Sequence, residues 1–150
     1  KAAKQVVTYC IRNDIGTLIV GYNTTFQRSS DLGRQMNQVF VGIPFGILRR
    51  KLKYLCEMNG IRYVEQEESY TSMASFWDLD EMPVYGEAGF VPPVFSGRRI
   101  CRGLYQDRSG RRINADVNGA LNIMRKCNIV SLTALYARGD VDTPVRIRIA

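Results

Sequence analysis

Apolar residues recur at three- and four-residue steps over Ala2 to Arg12, where Val6, Val7, Cys10 and Ile11 predict an amphipathic helix. The polar turn Asn13-Asp14-Ile15 closes on Gly16, and the apolar, β-branched run Thr17-Leu18-Ile19-Val20 predicts a short buried strand. Gly21 to Asn37 is polar and reads as loop. Pro44 fits the first turn of a second helix. Its apolar positions Phe45, Leu48, Leu52, Leu55 and Cys56 keep the helical step, and Asn59-Gly60 supplies a stop. Ile61 to Glu68 predicts a second strand, apolar at its start and acidic at its end.

Pro, Gly and acidic residues dominate from Asp78 to Gly97, the pattern of an irregular insertion. Arg98 to Leu104 and Arg111 to Ile113 flank Asp107-Arg108-Ser109-Gly110, a hairpin turn by composition. Asp116 then precedes a helical stripe of Val117, Ala120, Leu121, Ile123 and Met124. Beyond Asn128 the pattern decays, and Asp140 to Ala150 is expected to be a mobile tail. No internal repeat is evident. Strands alternating with helices predict an α/β fold with partly parallel strands. Two core strands are too few for a self-sufficient sheet, so the chain, which starts at Lys1 without a Met, is expected to be a fragment or to need a partner.

The 150 residues contain no histidine, which excludes Ser-His-Asp and Cys-His nucleophiles and every zinc site built on imidazole. Chemistry must come from carboxylates, Lys, Tyr, Ser or Cys. Cys10, Cys56, Cys101 and Cys127 include no Cys-x-x-Cys pair, and their spacing predicts four reduced thiols in a cytoplasmic protein, or a nuclear one in a eukaryote. No segment has the length of apolar sequence a membrane span requires. Lys plus Arg number 21 against 14 Asp plus Glu, a net charge of +7. The charge is sorted: no basic residue lies between Tyr63 and Gly97, where seven of the 14 acids fall. Arg98, Arg99, Arg102, Arg108, Arg111 and Arg112 follow at once. A basic chain holding an acidic knot points to polyanion binding beside a cation site, the alternative being a solvated positive face.

Three acidic groups compete for that cation. Glu65, Glu67 and Glu68 end the second strand, with Glu65 and Glu67 on one face; they are ligands or a solvated edge. Asp116 opens Asp-Val-Asn-Gly-Ala-Leu-Asn-Ile and is an N-cap or a ligand. Asp31-Leu32-Gly33 has an Asp-x-Gly pattern but follows no strand and is set aside.

The ordered series Ile43-Pro44-Phe45, Glu67-Glu68-Ser69-Tyr70-Thr71-Ser72, Gly103-Leu104-Tyr105 and Asn114-Ala115-Asp116-Val117-Asn118-Gly119-Ala120-Leu121-Asn122-Ile123 resembles the C-terminal RuvC portion of the transposon-associated TnpB (OrfB) family. That family is related to the Fanzor proteins and the type V CRISPR effectors. The resemblance covers roughly residues 1 to 127. It implies a partial ribonuclease H-like (RuvC) α/β fold lacking its N-terminal strands. Residues 1–72 would be core, 73–113 an insertion in place of a zinc ribbon, 114–127 the final helix and 128–150 a C-terminal tail.

It further implies an RNA-guided DNA endonuclease in which three carboxylates hold two Mg²⁺ ions (Mn²⁺ substituting), about 3.5–4 Å apart. Guide RNA, target DNA and the N-terminal strands of the same or another chain would be its partners. The family's leading Asp would precede Lys1, and the strand that elsewhere ends in Glu-Asp-Leu here runs into Gly21-Tyr22-Asn23. Some relatives supply that Glu from the later strand, which makes Glu67 the substitute metal ligand, Glu65 the second choice and Asp116 the last acid.

Where the family's zinc cysteines would stand are Ala74, Gln106 and Ser109, so no zinc is expected, and Trp77, Phe90 and Phe95 would hold the insertion or stack on bases. Arg102 sits where related nucleases place a basic residue near the scissile phosphate. Arg98, Arg99, Arg108, Arg111 and Arg112 are candidate phosphate contacts, and Asn118 and Asn122 are read as supports of the final helix. Alone, such a chain would have little or no activity. The alternative is a catalytically inactive nucleic-acid-binding module or assembly subunit of an RNA-guided complex.

Overall fold

The computed structural model describes residues 1–23, 45–84, 93–139, 141 and 144. The predicted loop from Gly21 is described only to Asn23; Asp31-Leu32-Gly33, Pro44 and Phe90 lie outside the described residues, as does most of 140–150. The described residues form two compact units, dividing between Glu65 and Gln66.

In the first unit, α1 (Ala2–Arg12) buries Ala3, Val7 and Cys10, a stripe at steps of four and three. Val6 and Ile11, counted on that stripe by pattern, are instead exposed. The strand β1 (Thr17–Tyr22) runs on through Gly21 and Tyr22, beyond the predicted Val20. Helix α2 (Phe45–Met58) presents Leu52 and Cys56 to the same core, which Ile61 completes with Leu18, Val20, Leu48, Leu55 and Tyr63 around it. Strand β2 (Arg62–Glu67) pairs with β1. The Arg62 N–H donates to Gly16 O at 2.9 Å, tying the two strands at their beginnings, so they run in the same direction.

Both helices stop in the same way. Ile15 N–H returns to Cys10 O and Ile61 N–H to Cys56 O, each at 2.9 Å. Asn13 Nδ2 donates to Tyr9 O at 2.8 Å and Asn59 Nδ2 to Leu55 O at 2.7 Å. Asp14 and Gly60 take positive φ, +52° and +68°. Cys-x-x-Asn-x-Ile is thus one helix-to-strand device used twice, a short local repeat with three fixed positions in six.

The second unit is built on a three-stranded antiparallel sheet, β3 (Arg98–Cys101), β4 (Leu104–Gln106) and β5 (Arg112–Asn114). The predicted strand Arg98 to Leu104 is broken at Arg102-Gly103, where Gly103 has φ +81°. The expected turn Asp107–Gly110 links β4 to β5: Asp107 N–H donates to Arg111 O at 3.0 Å and Gly110 has φ +89°. Helix α3 (Ala115–Cys127) packs on β4 and β5. The core is Phe76, Tyr105, Ile113, Ala115 and Leu121. Where the hydrophobic pattern decays after Asn128, a further helix α4 (Thr133–Arg138) stacks Tyr136 on Phe76 at 4.9 Å and 9°.

Candidate nucleic-acid interface and acidic residues

Helix α3 is fixed by its amides. Asn118 and Asn122 are fully buried on one side of the helix. Asn118 Oδ1 accepts from Phe76 N–H at 3.1 Å while its Nδ2 donates to Ala74 O at 2.8 Å. Asn122 Nδ2 donates to Thr71 O at 3.0 Å and to Ala74 O at 2.7 Å. Between them Gly119 faces the backbone of Thr71 and Ser72, where a Cβ would lie 4.0 Å from Thr71 O and Ser72 Cα, an ordinary contact. The Asp-Val-Asn-Gly-Ala-Leu-Asn sequence is therefore a lock between α3 and the Tyr-Thr-Ser turn. Thr71 and Ser72 belong to the second compact unit.

Asp80 and Asp78 of the insertion bind backbone. Asp80 Oδ2 accepts from Ser75 N–H at 2.8 Å and Ser96 N–H at 2.9 Å, and Asp78 Oδ2 from Arg108 N–H at 3.0 Å. Tyr105 Oη donates to Met73 O at 2.7 Å. Burial, then the nearby charges of Asp80, Asp78 and Asp107, push this phenol up to about 12. Trp77 meets Phe76 edge-on at 5.2 Å and lies under the Arg111 guanidinium at 4.7 Å, and Phe95 faces Tyr70 at 6.0 Å.

The side chain of Asn114, not Asp116, caps α3, accepting from Asp116 N–H at 2.9 Å and Val117 N–H at 3.1 Å. Asp116 is exposed and its carboxylate has no partner among the described residues. Arg102 stands close by in the chain's path: Ala115 N–H donates to Gly103 O at 3.0 Å, so Arg102 and Asp116 each neighbour that bond.

Glu67 is placed differently. Lys126 Nζ donates to its Oε2 at 2.6 Å, Ser69 N–H to Oε1 at 2.6 Å, and the Ser69 hydroxyl also donates to Oε1. Lys126 is ten residues beyond Asp116, about 15 Å along the helix axis. Glu67 is thus tied to the C-terminal end of α3, while Asp116 stands in its first turn. Glu65, exposed, is bound by Arg49 Nη1 at 3.3 Å and Tyr63 Oη at 2.9 Å. Among the described residues no three acids or cysteines converge on a point that could hold a metal ion. Of the chosen acids, Glu67 and Glu65 are engaged in ion pairs and Asp116 has no partner among the described residues.

Burial pushes the Glu67 carboxyl up, but Lys126 and both Ser69 donors outweigh it and hold the group below its ordinary value. Glu68, whose carboxylate was not chosen from sequence, is pushed the other way by burial and by the charge of Glu67. Because the folded Glu67 lies below its unfolded pKa of about 4.3, its contribution is complete above that pH and is lost as pH falls through the folded pKa. Glu67→Gln is expected to cost about 1–2 kcal/mol at pH 7, a cost that shrinks as the pH is lowered below the unfolded pKa. Urea unfolding of both proteins at pH 7, 5 and 3 checks this; parallel pH profiles would contradict it.

The arginines divide into two groups. Arg111 is held by Trp77, by Gly139 O at 3.2 Å and by Asp107 at 3.8 Å, and Arg108 Nη2 donates to Ser96 Oγ at 3.0 Å. Arg98, Arg99, Arg102 and Arg112 are exposed, with no side-chain hydrogen bond or ion pair among the described residues. The register pairs Arg98 with Gln106 and Gln106 with Arg112, whereas buried Tyr105 faces buried Ile113. Strand alternation puts the Arg98–Gln106–Arg112 row on the face away from the core.

A family model described as "Cas12f1-like, TNB domain" matches residues 45–123. Among solved structures, the chain is similar to one described as "Cryo-EM structure of the Cas12f1-sgRNA-target DNA complex", with 20% identity and a TM-score of 0.51 over 81% of this chain and 31% of that one. The chain therefore spans about a third of that structure's length. No curated protein matches. The likeness establishes the α/β fold, consistent with a partial RuvC-like domain. No helix among the described residues is long and apolar enough to cross a membrane.

Proposed function

From the premise that the chain belongs to the Cas12f1-like TNB domain family, we propose that it is the nucleic-acid-engaging, C-terminal part of an RNA-guided DNA endonuclease of TnpB type. Its partners in this reading are guide RNA, target DNA and N-terminal RuvC strands from the same or another chain. The observation that carries the proposal is the outward Arg98–Gln106–Arg112 row, on the sheet whose Arg102 turn adjoins the start of α3. Exposed guanidiniums on a rigid strand face attract phosphates without first breaking ion pairs. Arg99, Arg102 and Arg108 extend the positive field, while Arg111 serves chiefly to hold Trp77 and α4.

Asp116 is the one carboxylate of the chosen set offered to a Mg²⁺ or Mn²⁺ centre, the remaining acids coming from outside the described residues. Glu67 anchors α3 through Lys126. A binding module without cleavage is the second reading, favoured by the same engagement of Glu67 and Glu65 in ion pairs.

Binding of labelled single-stranded DNA and RNA, followed by anisotropy between 50 and 300 mM salt, tests the interface. The unaltered chain is expected to bind both with a clear salt slope. Arg98→Ala with Arg112→Ala is expected to lower that slope by roughly 1–2 and the affinity about tenfold. Lys4→Ala, on α1, is expected to change neither. An unchanged slope in the double variant would contradict the assignment of the interface.

A further inference from the structure

Beside the arginine row lies a cavity of about 480 Å³, within the size range of small-ligand sites. Its lining includes Phe95, Ser96, Arg98, Gln106, Asp107 and Arg108. Its wall tolerates no side chain at Gly97, where a Cβ would fall 2.6 Å from both Gln106 O and Tyr105 Cε1. That close approach carries Ser96 and Arg98 to the cavity's edge.

The lining is chemically mixed in a particular way. Half-buried Phe95 supplies an aromatic surface. Gln106 commits its Nε2 to Gly110 O at 3.1 Å, which leaves its Oε1 as an acceptor. Asp107, the one acid among the described lining residues, has Oδ1 taken by Ser109 Oγ and Arg111 N–H, both at 2.8 Å, and Oδ2 facing the Arg111 guanidinium. Its charge is therefore compensated, and Arg98 and Arg108 dominate the field. An aromatic surface, an amide acceptor and two guanidiniums are what the base and the phosphate of one nucleotide require.

We propose that this cavity takes a single unstacked nucleotide of the bound strand, with the base against Phe95 and the phosphate between Arg98 and Arg108. The inference deepens the nucleic-acid reading above and rests on it: the arginine row would hold the strand's backbone, and this cavity would hold one of its bases. Recognition here is by the presence of a base, since stacking on an aromatic ring is tolerant of sequence.

The test uses the full chain and two labelled 12-mers of equal charge, one of thymidines and one of abasic tetrahydrofuran residues. The unaltered chain is expected to bind the thymidine strand about tenfold more tightly, the scale of one base–aromatic stack. Phe95→Leu is expected to reduce that ratio to within about twofold while the abasic strand binds as before. Arg108→Ala is expected to weaken both strands alike.

Equal binding of the two strands by the unaltered chain would overturn the cavity while leaving the interface standing. Binding of neither strand would overturn the interface and the cavity with it. A ratio that survives Phe95→Leu would place base recognition elsewhere and also overturn the proposal. Should that variant fail to fold, photocrosslinking of a 5-iodouracil strand to the unaltered chain decides: adducts at Phe95 support the cavity, and adducts only elsewhere overturn it.

Discussion

Asn118→Ala is expected to destabilise the second unit by about 2–5 kcal/mol. The amide is fully buried and satisfies two backbone groups that have no route to water, Phe76 N–H and Ala74 O. Leaving a buried polar group without a partner costs about 1–3 kcal/mol, and alanine adds a cavity. Leucine fills the volume but leaves Phe76 N–H unpaired, so Asn118→Leu is expected to rescue little. Ala74 O also accepts from Asn122, so either asparagine alone still satisfies it. The double variant Asn118→Ala with Asn122→Ala is then expected to lose about 1–2 kcal/mol more than the sum of the singles. The chain's one tryptophan, Trp77, packs against Phe76 and reports on this unit, so urea unfolding followed by its fluorescence compares the unaltered chain with Asn118→Ala, Asn118→Leu, Asn122→Ala and the double variant. A cost below about 1 kcal/mol for Asn118→Ala would show that the lock contributes little.

That lock also shows how far the sequence could be read. Two asparagines four apart beside Gly119 signalled supports of the final helix, and the structure gives them that role with named backbone partners. The helix-and-strand pattern of the first unit was legible because propensity, periodicity and turn residues all agreed along the chain. Its repeated Cys-x-x-Asn-x-Ile stop was equally present, and was missed because six residues with three fixed positions fall below what a search for repeats registers.

Other features depend on partners distant in sequence. Glu67 sits at a strand end like a ligand, but what decides its state is Lys126, 59 positions later. Asp116 reads equally as cap or ligand, and only the rotamer of Asn114 settles which residue caps the helix. Helix α4 has too few residues to display a period, and its packing comes from Tyr136 stacking on Phe76 across a long separation in sequence. Nor does spacing separate Arg111, spent on Trp77, from Arg98 and Arg112, which have no side-chain partner among the described residues and lie on the outer face by strand register.

Asp116→Ala is expected to abolish metal-dependent DNA cleavage while leaving the fold and nucleic-acid binding intact. The capping bonds belong to Asn114, and Asp116 is exposed and unengaged among the described residues, so its loss is expected to cost no more than about 0.5 kcal/mol. As a metal ligand it would cost far more activity than the roughly 10–100-fold that follows loss of an outer-shell partner. Glu67→Gln is the necessary companion, since it loosens α3 without touching Asp116. The deciding measurement is Mg²⁺- and Mn²⁺-dependent cleavage of labelled single-stranded DNA by the protein assembled with its N-terminal RuvC strands. It compares the unaltered protein, Asp116→Ala and Glu67→Gln, with binding of the same strand measured alongside. Cleavage lost in Asp116→Ala, retained in Glu67→Gln, with binding within about twofold in all three, is the expected result. Cleavage that survives Asp116→Ala, or an unaltered protein that binds DNA and never cuts it, would contradict the nuclease reading.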